Sequence, residues 1–365
     1  MRQFDEAVAH TIKHFELHRL DGLEWRVISD VEAGVIAITA VEEAVLRRFA
    51  TLPNWPHTVV TFFVLQDLSA LQRQLAARDA APQAGAHAAM SLPAGGISGL
   101  AQRPVVNLYD LANPEACHVF VNYAAMAQAG YWGDALAETA LLAHEHAHPL
   151  VENPTVQASR QVTVASTLAS RAPISPHPQA QARWLARLQA VTQSVCERLC
   201  SYAPRELFTN SLAVTAGFGE ALCHLDRITI ERSALALPGR QALVAGLRAE
   251  DELTAAGRNA FLVLADLQAH LEMAFEVAAF QRTGAEACAR ELETLLRTKV
   301  FPGLAPEVAS AFTPLTQRYV ELATDLTPTQ FIQFAQSILD IIAAALVPSG
   351  IVLHRTISLA EGKEG

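Results

Sequence analysis

At 365 residues the chain is longer than a single hydrophobic core usually serves, so two subdomains or one domain in two lobes are expected. Hydrophobic residues make up 51% and charged residues 18%, an Ala- and Leu-rich, helix-favouring balance that excludes a disordered or fibrous chain. A net charge of −10 without any basic run excludes nucleic acid as a main partner, since phosphate binding relies on clustered Lys and Arg.

Residues 4–20 are expected to form a helix, with Phe4, Ala7, Val8, Ile12 and Phe15 near its period and His10, His14 and His18 on its polar face. Asp5 and Glu6 set this segment apart from a secretory signal or transit peptide. Trp25–Ser29 and Val35–Thr39 read as strands around the Ala33-Gly34 turn, and Val41–Ala50 reads as a helix. Val59–Leu65 is the strongest buried-strand signal, followed by a helix over Ser69–Asp79. Residues 81–103 are rich in Ala, Gly and Pro and are expected to be a loop, either a flap or a linker. Two further strands follow at Val105–Tyr109 and Cys117–Asn122, then a short helix over Tyr123–Ala129.

Asp134 is placed to cap the next helix, which runs from Ala135 to His148 and is stopped by Pro149. That helix carries Ala143-His144-Glu145-His146-Ala147-His148. Residues four apart on a helix lie about 40° from each other around the axis, so His144 and His148 can offer imidazoles to one ion. Glu145, about 100° away, sits beside that ion as a general base, while His146, about 200° from His144, faces away. Two neutral imidazoles suit zinc and leave positions for a third protein ligand and a water.

Beyond Leu150 strands become scarce. Helices are expected over 179–201, 204–225, 242–247, 252–280, 285–298 and 327–346, the last followed by a short strand or tail. The apolar stretch Phe331–Leu353 is broken by Gln333, Gln336, Asp340 and Pro348-Ser349-Gly350 and reads as a buried helix rather than a membrane span. Cys117, Cys196, Cys200, Cys223 and Cys288 are odd in number and lack paired spacing, which fits reduced thiols and a cytoplasmic protein. Cys196 and Cys200, four apart, read as small core residues rather than metal ligands.

The third ligand is expected from Ala203-Pro204-Arg205-Glu206-Leu207-Phe208-Thr209-Asn210. Pro204 suits a first helical turn, Glu206 falls within that turn, and Asn210 lies one turn on, where its side chain can support a ligating imidazole. Glu152 and Glu220 are the alternatives. Tyr202 and His224 are candidates for stabilising the oxyanion that develops as water attacks a carbonyl.

His144-Glu145-His146-Ala147-His148 followed downstream by Glu206-Leu207-Phe208-Thr209-Asn210 resembles the gluzincin group of zinc metallopeptidases. The resemblance extends upstream to Val119–Asn122 and the helices that follow, and covers under a fifth of the chain. It implies His144, His148 and Glu206 as ligands of Zn2+, Glu145 as general base and Asn210 as a supporting residue, with Asn in place of the usual Asp. It also implies a peptide or protein substrate lying along an edge strand near Asn122. The expected fold is α+β and mainly helical: a zincin-like lobe with a mixed sheet over 1–150, ending in the motif helix, then a helical lobe over 151–365. The rival reading is a non-catalytic zinc-binding or scaffold protein. Oligomeric state is not legible.

Overall fold

Period-two alternation governs the start of the chain. In the computed structural model, which describes residues 12–20, 22–79, 96–110, 114–249 and 252–359, His14–Leu20 is a strand, β1. His14, Glu16 and His18 point to one face and Phe15, Leu17 and Arg19 to the other, where they are exposed. The helix expected over 4–20 is therefore wrong across 14–20, and residues 4–11, with His10, lie outside the described residues. The histidine stripe is replaced by a strand-face pairing in which Glu16 accepts from His14 at 2.9 Å and His18 at 2.8 Å.

β2 (Leu23–Ser29) follows, and α1 (Val35–Phe49) overturns the strand expected at Val35–Thr39. The β-branched residues there suggested a strand, but Val35, Ile38, Thr39, Glu42, Val45, Leu46 and Phe49 are buried at helical spacing, and one-sided burial prevails over propensity. Gly34 enters α1 with φ 81°, and a Cβ there would meet the Trp132 ring at 2.8 Å, so only glycine fits.

β3 (Val59–Leu65) and α2 (Ser69–Asp79) form as expected. Of the expected 81–103 loop, Gly96–Gln102 is a 3-10 turn. β4 (Val105–Tyr109), β5 (Ala116–Asn122), α3 (Tyr123–Gln128) and α4 (Ala135–Ala147) complete this part, and His148–Leu150 tightens into a 3-10 turn at Pro149. The strands form a mixed sheet in the order β1-β2-β3-β5-β4, with β1/β2 and β4/β5 antiparallel and the two central pairings parallel. One face packs Ile28, Phe63, Leu65, Val106, Leu108 and Phe120 against Leu68, Leu71 and Leu75 of the α2 region and Leu100. The opposite face, reached by Asn107 and Tyr109, takes α4.

The chain divides into two units, one of Met1–Leu150 with Ala216–Leu225 and the other of Val151–Thr215 with Asp226–Gly365. After Leu150 come α5 (Pro154–Gln161), β6 (Val162–Ser170), α6 (Pro178–Glu197), a π turn at Arg198–Tyr202 and α7 (Ala203–Ala213). The helix expected over 204–225 is broken by a second π turn, where Gly217 has φ 100°, before α8 (Gly219–Leu235). α9 (Leu237–Ala249) follows, and the helix expected over 252–280 is two, α10 (Ala255–His270) and α11 (Met273–Arg282). α12 (Glu286–Leu295), α13 (Pro306–Val320), α14 (Pro328–Leu346) and β7 (Ile351–Leu359) end the described chain.

β6 and β7 pair antiparallel along nine residues, and α6 covers the other edge of β6 with glutamines. Gln193 Oε1 accepts from Ser166 N at 2.8 Å and its Nε2 donates to Val164 O at 2.7 Å; Gln189 Oε1 accepts from Leu168 N at 2.7 Å and its Nε2 donates to Ser166 O at 2.6 Å. Four helical residues rise about 6 Å and two strand residues about 6.6 Å, so glutamines four apart match alternate strand positions.

One stretch among the described residues, 328–349, has the length and apolar composition of a membrane span. Within the second unit its helix buries Phe331, Ala335, Ile338, Leu339, Ile342 and Leu346 at helical spacing, a stripe along one face.

Candidate metal centre

α4 is a helix with well-defined ends. Asp134 caps it, accepting from Leu136 N and Ala137 N at 3.1 Å each, and Pro149 cannot extend it. Over the last turn the imidazoles of His144 and His148 stand with ring centres 4.7 Å apart and planes at 85°. Ligand atoms of His144, Glu145 and His148 all lie within 4.8 Å of one another. Imidazole nitrogen and carboxylate oxygen are the donor types of catalytic zinc sites, so the set is chemically suited to a transition metal.

Glu145 is held from the sheet. Asn107 N on β4 donates to Glu145 Oε2 at 3.0 Å, and Asn107 Nδ2 donates to Glu145 O at 3.1 Å. Asn107 is buried, and its Oδ1 has no hydrogen-bond partner. Sequence reasoning did not find this residue; the only trace is a polar side chain inside the otherwise apolar Val105-Val106-Asn107-Leu108-Tyr109 strand.

His146 turns the other way, toward Glu42 on α1, with Nε2 to Oε1 at 2.8 Å and neither side chain exposed. Trp55 and His57 lie on the same side, with Trp55 5.7 Å from His146 and 4.7 Å from His57 between ring centres. Burial lowers the His57 pKa from 6.5 to about 4, against its bond to Pro114 O. Glu42 Oε2, Trp55 Nε1, His57 Nε2 and His146 Nδ1 are buried without hydrogen-bond partners.

Two other sequence candidates have defined surroundings in this unit. His224 Nε2 bonds Asp134 Oδ2 at 2.7 Å, at the first turn of α4, ten and more residues before the His144 and His148 pair. Burial opposes the Asp134 charge, but His224 and the capping N–H groups outweigh it and hold the carboxyl below its usual range. Asn122 caps α3 and donates to Ala101 O at 2.9 Å, so its side chain is occupied within the fold.

Of the remaining candidates, Glu220 belongs to the first unit and Glu152, Tyr202, Glu206 and Asn210 to the second. Glu206 and Asn210 lie one turn apart on α7, both buried, and Tyr202 is half-buried in the π turn before it. Asn210 Nδ2 donates to Glu276 Oε2 on α11, a partner that no sequence spacing announces. Burial, then the charges of Asp226 and Glu206, pushes Glu276 well above the usual carboxylate range. Glu152 is engaged by Arg160 through two bonds of 2.6 Å, and Glu220 is exposed. The five cysteines are free thiols; Cys196 and Cys200 are buried, which pushes Cys196 up to about 12 and Cys200 well above the usual thiol range, as for inert core residues.

No family model, curated protein or solved structure matches the chain.

Proposed function

We propose that the chain is a zinc-dependent hydrolase, a metallopeptidase of gluzincin type. The observation that carries this reading is the convergence of His144, Glu145 and His148 ligand atoms at the end of one capped helix. Bound zinc supplies Lewis acidity toward a substrate carbonyl and acidifies a water. His144 and His148 hold the metal through imidazole nitrogens. Glu145 takes the proton of the attacking water on its carboxylate and passes it to the leaving amine nitrogen, and Asn107 keeps that carboxylate oriented. Glu206, with Asn210 beside it, is the proposed third protein ligand on the sequence argument, and Tyr202 the proposed oxyanion donor.

The closeness of the Glu145 carboxylate to both imidazoles favours a second reading, in which Glu145 is itself a ligand of a non-catalytic site. Glu145→Gln separates the two. A general base predicts retained stoichiometric zinc with peptide-library hydrolysis lost; loss of the zinc itself makes Glu145 a ligand. Absence of stoichiometric zinc in the wild-type chain, even with zinc added, defeats both.

A further inference from the structure

β1 lies at one end of the five-stranded sheet and pairs only with β2 among the described residues. Its outward face is apolar, with Phe15 59% and Leu17 54% exposed. An open apolar strand edge is a template for another strand. The residues of β1 indicate which one.

A two-fold pairing of antiparallel strands keeps opposite residues on the same face, so its centre falls on a residue rather than between two. Leu17 is the midpoint of His14–Leu20, and centring there is the only choice that keeps all seven residues paired. It sets Glu16 opposite His18, Phe15 opposite Arg19 and Leu17 opposite Leu17, with His14 and Leu20 meeting at the ends. Carboxylate meets imidazole, ring meets guanidinium and Leu meets Leu, each of the first two pairs occurring twice. Centring on Glu16 puts two carboxylates face to face, and centring on His18 puts Glu16 opposite Leu20. Centring on Phe15 leaves only His14, Phe15 and Glu16 paired within the strand.

We infer that the partner of this edge is a second copy of the chain, joined through antiparallel β1 strands about Leu17 into one sheet with five strands from each copy. The inference stands apart from the hydrolase reading. Phe15 and Leu17 gain cross-strand neighbours on their exposed face, and Glu16 lies between its own imidazoles and the His18 imidazole of the second copy.

The test is sedimentation velocity of the full chain across a concentration series, with cysteine variants to read the register. A concentration-dependent dimer is expected, and Leu17→Lys, which sets two like charges together at the two-fold, weakens it about tenfold or more without changing the circular dichroism. Leu17→Cys should cross-link to itself under oxidised glutathione, because directly opposite Cβ atoms lie about 5 Å apart. Phe15→Cys alone should not, its copies being about 13 Å apart along the strands, yet a mixture of Phe15→Cys and Arg19→Cys should. A monomer at every concentration, a dimer indifferent to Leu17→Lys, or self-linking of Phe15→Cys in place of Leu17→Cys overturns the inference.

Discussion

Glu42 and His146 share a hydrogen bond of 2.8 Å with neither side chain exposed to solvent, joining α1 to the back of the helix whose front carries His144 and His148. The residue between the two candidate ligands thus helps fix how α4 is rotated about its axis. Breaking a buried pair leaves the other partner without compensation. Glu42→Ala is expected to cost about 3 kcal/mol in urea denaturation, and Glu42→Gln, which can still bond His146, clearly less.

Asn107 ties Glu145 to the sheet by both a backbone and a side-chain donor. In Asn107→Ala the backbone N–H still reaches Glu145 Oε2, but the bond to Glu145 O is gone and the last turn of α4 loosens. Groups that orient ligands in this way typically govern metal affinity by 10–100-fold, so zinc competition against a chelator should show about tenfold weaker binding. Unchanged affinity would show that Asn107 has no part in holding the metal and acts on Glu145 alone.

His57 gives the first unit an acid-sensitive point. Its folded pKa is lowered from 6.5 to about 4, so as pH falls below 6.5 the unfolded chain takes up a proton that the folded chain refuses until about 4. The linked term is neutral above 6.5 and removes stability progressively below it, by up to about 3 kcal/mol. Denaturation midpoints measured down the pH scale should fall through this window, and His57→Phe should flatten the slope by about one proton.

The glutamine rungs on β6 are expected to contribute measurably. Gln193→Ala removes partners from Ser166 N and Val164 O and should cost about 2 kcal/mol, whereas Gln193→Glu keeps the acceptor and loses the donor and should fall between. Thermal denaturation of both variants checks the order.

Much of the motif helix is legible in the sequence, because its signals are local: Asp134 as cap, Pro149 as stop, and two histidines four apart. β3 was equally plain, since a fully buried strand is a continuous apolar run. The errors fell where one segment carried two periods. His14–Leu20 alternates with period two, yet Ile12 and Phe15 continue a helical spacing from upstream, and pairing with β2 decides between them. Val35–Thr39 has strand-forming residues but a helical burial stripe. α5, β6 and α13 were not seen; β6 shows only a short alternation of small residues whose partner, β7, lies nearly two hundred positions later. Asn107, Glu42 and Glu276 were hidden for the same reason: their partners are remote in sequence, and no local pattern marks them.

The glutamines of α6 also bear on how the second unit fails under heat. Held in place, they deny β6 to any passing chain, although Val162-Thr163-Val164-Ala165-Ser166-Thr167-Leu168 carries no charge and no proline. If α6 lifts away before the remaining helices melt, that uncharged segment is uncovered while still extended, and aggregation outruns refolding. The spacing of two glutamines thus helps decide whether thermal unfolding of this unit is reversible.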